Sequence, residues 1–309
     1  MAATHPDPLP SIREREVAGQ AARRRRPRSA GADWTAAADR PDPLELLAAQ
    51  ERDRVAALLP LRHSRMGAGA FAFYRGSAAV MAADLATMPA SGLTVQLSGD
   101  AHLGNFGIFA APDRRLVFDL NDFDETMPGP FEWDVLRLAT SFVLAGREGA
   151  AGEDAGRAAA EAAARTYRLS MRDNATVGEV GLWYARDDQE TLLSWAQGQP
   201  QSRGLRSAIQ TGVASAARST VASAVEHFTR AGRTGRRFRD EPPALMRIPP
   251  RSELAALARA AVAAYRVALP PDRATLVGRY RVADVGHKIV GVGSVGLIDV
   301  IVLLEGALP

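Results

Sequence analysis

The segment Gly99-Asp-Ala-His-Leu-Gly-Asn-Phe-Gly107 carries the most specific chemical pattern in this 309-residue chain. It places Asp100 five residues before Asn105. That spacing is typical of a kinase catalytic loop, in which the Asp accepts the proton of the attacking hydroxyl and the Asn holds a metal ion. We therefore interpret Asp100 as catalytic, with His102 beside it, and Asn105 as a metal ligand.

A second carboxylate-rich segment, Phe118-Asp-Leu-Asn-Asp-Phe-Asp-Glu125, follows a predicted hairpin. One carboxylate from Asp119, Asp122 or Asp124 is expected to bind Mg²⁺, an ion that takes few protein oxygens and keeps water and phosphate ligands. We favour Asp122, which precedes a Phe as in the metal-binding Asp-Phe pair of kinases, and place Asp119 second. The alternative is a calcium-like or unliganded polar loop, in which Asn121 and Asp122 are turn residues.

A glycine pattern of the form G-x-G-x-x-G lies near the end of the chain. In a dinucleotide-binding fold it would follow a strand and open a helix. Here the β-branched, apolar stretch Leu297–Leu304 follows, which predicts strand, glycines and strand, as in the hairpin that covers the phosphates in kinases. The alternative is a tight hairpin with no ligand. The residues expected to contact ATP phosphates are Gly291, Gly293, Ser294 and Gly296.

Further side chains could support these loops. Arg62, Arg65 and Arg75 flank an aromatic stretch, where they could bind phosphate bidentately or form structural salt bridges. We count Arg75 among the nucleotide-binding residues. Asp134, near a predicted helix start, is expected to brace the catalytic loop by accepting backbone N–H bonds.

Composition narrows the protein class. The chain has no cysteine, which excludes disulfides, thiolate zinc sites and thiol nucleophiles. No run of about 18 apolar residues predicts a membrane span, and no signal peptide is recognisable. We therefore expect a cytoplasmic protein. The basic run Arg23-Arg-Arg-Arg26 and Arg28 could contact nucleic acid, but a solvated arm is the interpretation that we favour.

Three segments are expected along the chain: a loose basic arm at 1–30, a helix-rich lobe with the acidic loops at 31–270, and a partial glycine-rich β lobe at 271–309. Pro60 is expected to end a helix that starts at Pro43, with a polar turn after it. Residues 150–235 are expected to be helical throughout.

Over about residues 20–309 the chain resembles a bacterial family of unknown function, domain-of-unknown-function family 2252. One departure from that family is Gly69-Ala70, where its members tend to have Ser-Pro. The motifs that carry the resemblance are Arg40-Pro-Asp-Pro43, Arg65-Met66, Phe71-Ala-Phe-Tyr-Arg-Gly76, Gly99 to Gly107, Phe118 to Glu125, Gly129-Pro-Phe-Glu-Trp-Asp134 with Arg137-Leu138, Glu241-Pro-Pro243 and Asp284 to Gly296.

These motifs are in turn similar to the aminoglycoside-phosphotransferase branch of the protein-kinase-like superfamily. That resemblance implies an α+β, helix-rich, kinase-like fold. The glycines follow the catalytic loop instead of preceding it, so the fold would be circularly permuted, with a C-terminal Gly-rich β-hairpin. Relative to the family we expect a C-terminal truncation, which would remove a segment carrying a phosphate-binding lysine.

The leading functional hypothesis is a phosphotransferase scaffold that binds ATP and Mg²⁺ and acts on an unknown small-molecule hydroxyl acceptor. The first alternative is a non-catalytic nucleotide-binding or interaction protein, of a truncated or pseudokinase type. The second is a nucleic-acid-binding protein that uses the Arg-rich arm. The sequence leaves the oligomeric state open.

Overall fold

The computed structural model describes residues 10–32, 34–232 and 235–306, which form a mixed α+β structure dominated by helices. The helices are α1 (Ile12–Arg25), α2 (Pro43–Glu51), α3 (Leu59–Met66), α4 (Ala70–Arg75), α5 (Ala78–Ala86), α6 (Glu132–Glu148), α7 (Glu153–Asn174), α8 (Glu179–Trp183), α9 (Gln189–Gln197), α10 (Ser202–Arg218), α11 (Val221–Phe228), α12 (Glu253–Ala268) and α13 (Pro271–Val277). The strands are β1 (Thr94–Leu97), β2 (Phe106–Ala110), β3 (Leu116–Leu120), β4 (Met127–Pro130), β5 (Thr229–Gly232), β6 (Gly235–Phe238), β7 (Leu245–Arg247), β8 (Tyr280–Lys288) and β9 (Val300–Gly306). The α+β class expected from the sequence is thus confirmed.

The contacts divide the chain into two compact units. Unit 1 comprises residues 1–49, 69–107 and 120–184, and unit 2 comprises 50–68, 108–119 and 185–309. The glycine-rich hairpin groups with unit 2, and the Gly99 loop groups with unit 1. These units do not coincide with the three segments expected from the sequence, whose boundaries stay a prediction.

Unit 1 is built around a short antiparallel strand pair and two long helices. β1 pairs with β4, with Thr94 opposite Pro130 and Leu97 opposite Met127. α6 and α7 approach each other at Gly146 and Gly156, where a Cβ on Gly146 would lie 2.7 Å from the Gly156 Cα. Glycine permits this close helix approach because it has no side chain.

Unit 2 contains a three-stranded antiparallel sheet in the order β7-β8-β9. α12 begins after Ser252, whose hydroxyl accepts the Ala255 N–H as an N-cap. Ala255 and Ala258 of that helix pack on Val285 of β8. The β8–β9 hairpin agrees with the expected arrangement of strand, glycines and strand.

Several local expectations were wrong. Pro60 lies in the first turn of α3 and does not end a helix, which suits its fixed φ and missing N–H. The expected polar turn after it is the body of α3. The expectation that residues 150–235 are helical throughout fails at Thr229, where β5 begins.

The basic N-terminal segment is helical over Ile12–Arg25, with a capping box between Ser11 and Glu14, whereas the sequence suggested a loose arm. Arg25 donates to the Ser91 carbonyl at 2.8 Å, and Arg26 lies 3.6 Å from the Glu132 carboxylate. Part of the basic run is therefore engaged within unit 1. The first nine residues of the expected arm lie outside the described residues.

Across the described ranges, every helix is too short or too polar to cross a lipid bilayer.

Candidate functional site

The Gly99 loop and residues 120–125 of the acidic segment lie side by side in unit 1. Gly99 follows β1 with φ of +83°, and a Cβ at this position would lie 2.1 Å from the Glu125 carbonyl oxygen. Thr126 also donates its hydroxyl to the Leu97 carbonyl at 2.7 Å. The β1–β4 pairing and the glycine therefore bring the backbones of the two loops into contact.

Asp134 braces the Gly99 loop, as the sequence predicts. It lies in the first turn of α6. Its carboxylate accepts the Ser98 N–H at 2.8 Å and the Gly99 N–H at 3.1 Å. A carboxylate at this end of a helix is also stabilised by the helix dipole. The brace fixes the backbone directly before Asp100.

Asp100 is only 6% exposed and forms a buried ion pair with Arg137 of α6. The Arg137 Nε donates to the Asp100 Oδ1, and its Nη2 donates to the Tyr74 carbonyl at 2.8 Å. The guanidinium also lies over the Tyr74 ring, 4.2 Å from its centroid. Arg137 belongs to the Arg137-Leu138 motif, but the sequence alone does not predict its role at the site.

His102 is buried in the same loop. Its Nδ1 accepts the Gly104 N–H at 3.0 Å, and its Nε2 lies 3.6 Å from the Asp100 Oδ2. Burial lowers the pKa of His102, while the nearby Asp100 carboxylate opposes this shift. The imidazole is therefore neutral near pH 7, with its Nε2–H directed toward Asp100.

The side chain of Asn105 contacts the backbone of Asp100. Its side-chain Nδ2 donates to the Asp100 carbonyl at 2.9 Å, across a short 3₁₀ turn over Leu103–Asn105. This bond uses the amide nitrogen, so the side-chain oxygen is the atom with which Asn105 could bind a metal ion. The spacing of Asp100 and Asn105 thus brings the two residues together, as expected.

The acidic loop surrounds Glu125 with negative charge. Burial raises the pKa of Glu125, and the carboxylates of Asp100, Asp122 and Asp124 raise it further. This places Asp122 and Asp124 in the electrostatic environment of the Asp100 loop. Within the described ranges, no group of three or more His, Cys, Asp or Glu side chains has the geometry to hold a metal ion.

Asp119, the second choice for a metal ligand, falls in unit 2 near the end of β3. There, burial raises the pKa of Asp187, and the Asp119 carboxylate raises it further. Asp122 falls in the same unit as Asp100 and Asn105.

Arg75 borders the catalytic loop in unit 1. A Cβ on Gly104 would lie 3.4 Å from the Arg75 Nε. Burial is the larger cause of the lowered pKa of His102, and the positive charge of Arg75 lowers this pKa further. The Arg75 Nε is buried and has no hydrogen-bond acceptor in the described part of the chain. A buried donor of this kind is costly unless a ligand or water pairs with it.

In unit 2, arginines hold the glycine-rich loop between β8 and β9 by its carbonyls. Arg54 donates to Gly293 and Val295 at 2.8 and 2.7 Å. Arg62, which is fully buried, donates to Val292 and Gly293 at 3.1 and 2.9 Å. Arg62 was expected either to bind phosphate or to form structural salt bridges, and these contacts support the structural role. Arg65 likewise donates to the Gly291 carbonyl at 2.9 Å.

These carbonyl contacts orient the amides of the loop. In a planar trans peptide the C=O and the next N–H point in opposite directions. The N–H groups of Val292, Gly293, Ser294 and Gly296 therefore point away from the arginines. In the part of the chain that the structure describes, none of these four amides donates a hydrogen bond.

The conformation of the loop has two further supports. Gly291 and Gly296 have φ of +58° and +93°, which favour glycine. Val295 is fully buried against Leu58 and Ile289. The Ser294 hydroxyl donates to the Val290 carbonyl, so it is used within the loop.

A comparison with protein families matches residues 54–308 to a family described as an uncharacterized protein conserved in bacteria, DUF2252. No match was found among curated proteins or among solved structures. The kinase-like fold and its circular permutation stay predictions. The family match covers most of the chain, including Asp100, Asp122 and the glycine-rich loop. The chain belongs to the DUF2252 family.

Proposed function

We propose that this protein is a phosphotransferase that binds Mg-ATP and transfers the terminal phosphoryl group to a hydroxyl of a small molecule. The observation that carries the proposal is the braced Gly99 loop. It holds Asp100 and Asn105 in contact, and it lies directly against a loop with three further carboxylates. Asp and Asn in this arrangement are the parts with which kinases position a hydroxyl and a metal ion.

Asp100 is the residue that acts on the acceptor. Its carboxylate orients the acceptor hydroxyl and takes its proton, while the bond from the terminal phosphorus to the ADP oxygen breaks and a bond to the acceptor oxygen forms. Asp134 and Arg137 hold Asp100 in place. His102 contributes a neutral ring N–H beside the carboxylate.

The donor set fits Mg²⁺. Asn105 and Asp122 offer amide and carboxylate oxygens, which are the ligands that this ion prefers, and two protein ligands suffice when phosphates and water complete the octahedron. The carboxylates around Glu125 support the same assignment, because a cation would relieve the repulsion that, after burial, raises the pKa of Glu125. Bound there, the ion would neutralise phosphate charge.

Two features in the chain are suited to phosphate oxygens. The four amides of the glycine-rich loop that point away from the arginines donate no hydrogen bond in the described residues, and such amides can form the kind of backbone nest that binds anions. The unpaired Arg75 Nε in unit 1 is a buried donor that an anionic oxygen would satisfy.

One observation favours a second candidate function, nucleotide binding without turnover. Arg137 engages the Oδ1 of Asp100, so this carboxylate oxygen is already paired with a buried guanidinium. Asp100 would then help to shape the site without serving as a base.

ADP formation from Mg-ATP, measured with water and with pools of small-molecule alcohols as acceptors, separates the two functions. The phosphotransferase predicts turnover that falls at least 100-fold in Asp100→Asn, in line with the usual contribution of a general base. Asp173→Asn, on exposed α7, is the matched control and should retain full turnover. Binding of Mg-ATP without ADP formation in any pool supports the second candidate.

A further inference from the structure

We propose that unit 1 contains a separate binding site for a neutral, apolar small molecule. A cavity of about 500 Å³ lies among α4, α5 and α6, a size within the usual range of small-molecule sites. Its walls include Val80, Met81, Leu85 and Leu136. The site is distinct from the proposed Mg-ATP site and does not depend on that function.

The polar groups of the cavity wall indicate the class of ligand. The hydroxyls of Tyr74 and Ser77 and the carboxylate of Asp84 are already paired within the protein. The Tyr74 hydroxyl donates to the Arg137 carbonyl at 2.9 Å, and the Ser77 hydroxyl donates to the Tyr74 carbonyl at 3.3 Å. The Asp84 carboxylate is held by both Nε and Nη2 of Arg40, at 2.6 and 2.8 Å.

A ligand in this cavity would therefore gain little from polar groups of its own. A charged or strongly polar molecule would lose its hydration without finding partners. The binding of an apolar molecule is favourable because it removes apolar surface of both the ligand and the cavity wall from water. Burial that raises the pKa of Tyr74 to about 12 agrees with a dry wall.

The cavity has an open side. Trp34 lines it and is 41% exposed, and the Arg40 guanidinium lies 5.7 Å from the centre of its ring. Trp34 is thus an aromatic surface at the entrance, and the ion pair of Arg40 with Asp84 borders the same region. A ligand can enter there without any opening of the buried wall.

The cavity is also connected to Asp100. Tyr74 and Met81 line it, and Arg137 contacts both: it lies over the Tyr74 ring, and its Nη1 donates to the Met81 Sδ at 3.8 Å. The same Arg137 side chain holds the Asp100 carboxylate. A ligand that packs on Tyr74 and Met81 therefore touches the residues that position the ion pair.

The test is a titration of the full chain with N-phenyl-1-naphthylamine, a neutral apolar probe whose fluorescence increases in dry surroundings. We expect a saturable increase and a higher unfolding temperature for the bound protein. Leu136→Trp fills the cavity and should weaken binding at least tenfold. Leu169→Trp, on the exposed face of α7, adds the same side chain outside the cavity and should leave binding unchanged.

Either of two results would overturn the proposal: no saturable binding to the unmodified protein, or equal affinity in a folded Leu136→Trp variant. Circular dichroism and the unfolding temperature verify that each variant is folded. If Leu136→Trp does not fold, Leu144→Phe, a smaller change in the same wall, is tested against the same two outcomes.

Discussion

Arg137 and Asp100 form an ion pair in which both side chains are more than 90% buried. Arg137 belongs to α6 and Asp100 to the loop after β1, so the pair fastens the candidate catalytic loop to α6. Asp134, one turn earlier on α6, holds the backbone of the same loop. One helix thus positions both the backbone and the carboxylate.

Arg137→Met is expected to destabilise the protein by about 3–5 kcal/mol, because it leaves the Asp100 carboxylate buried without its partner. Urea unfolding measures this loss. Arg147→Met is the matched control on the same helix: its ion pair with Glu153 is about half exposed, and its loss should cost far less than the loss of the buried pair. Similar losses in both variants would show that the Asp100 pair is not buried.

Gly99→Ala is expected to destabilise the protein more than Gly152→Ala does. Both glycines have positive φ, at +83° and +84°, where a side chain costs about 1–3 kcal/mol of backbone strain. Only Gly99 has a close neighbour, the Glu125 carbonyl, whereas a Cβ on Gly152 meets nothing within 4 Å. Thermal unfolding of the two variants isolates the loop contact, and equal losses would contradict it.

His102 should titrate below 6.5, the ordinary value for histidine, because burial disfavours its charged form. A group with a lowered pKa in the folded state stabilises the protein above pH 6.5, and this contribution is lost as the pH falls through the folded value. NMR titration of the His102 ring measures this pKa. The stability of His102→Asn should fall less steeply with acid than that of the native protein. An NMR midpoint for His102 at or above 6.5 in the native protein would contradict the neutral imidazole.

The parts of the site that could be predicted from the sequence are those set by local chemistry. The spacing of Asp100 and Asn105 was sufficient to place both in one candidate site, and the structure adds their contact. The position of Asp134 near a helix start indicated that its carboxylate accepts backbone N–H bonds of the catalytic loop. Arg137 was missed because its role depends on tertiary packing, although its place three residues after Asp134 puts both on one helix face.

The fold was predicted less well where local propensity and tertiary pairing disagree. β4 has the sequence Met-Pro-Gly-Pro, which is atypical of a strand, and it forms only because β1 pairs with it. Proline at position 60 predicts a helix end, although the first turn of a helix accepts proline equally well. The glycine hairpin was predicted correctly because β-branched residues follow it, but its arginine contacts join residues more than 200 positions apart.

Calorimetric titration with ATP, in the presence and absence of Mg²⁺, tests the central claim most directly. We expect saturable ATP binding that needs Mg²⁺ and that weakens at least tenfold in Asp122→Asn, with Asp173→Asn unchanged. The loss in Asp122→Asn follows from the removal of a charged metal ligand. Absence of binding at millimolar Mg-ATP, or equal affinity in the native protein and Asp122→Asn without any need for Mg²⁺, would contradict the claim.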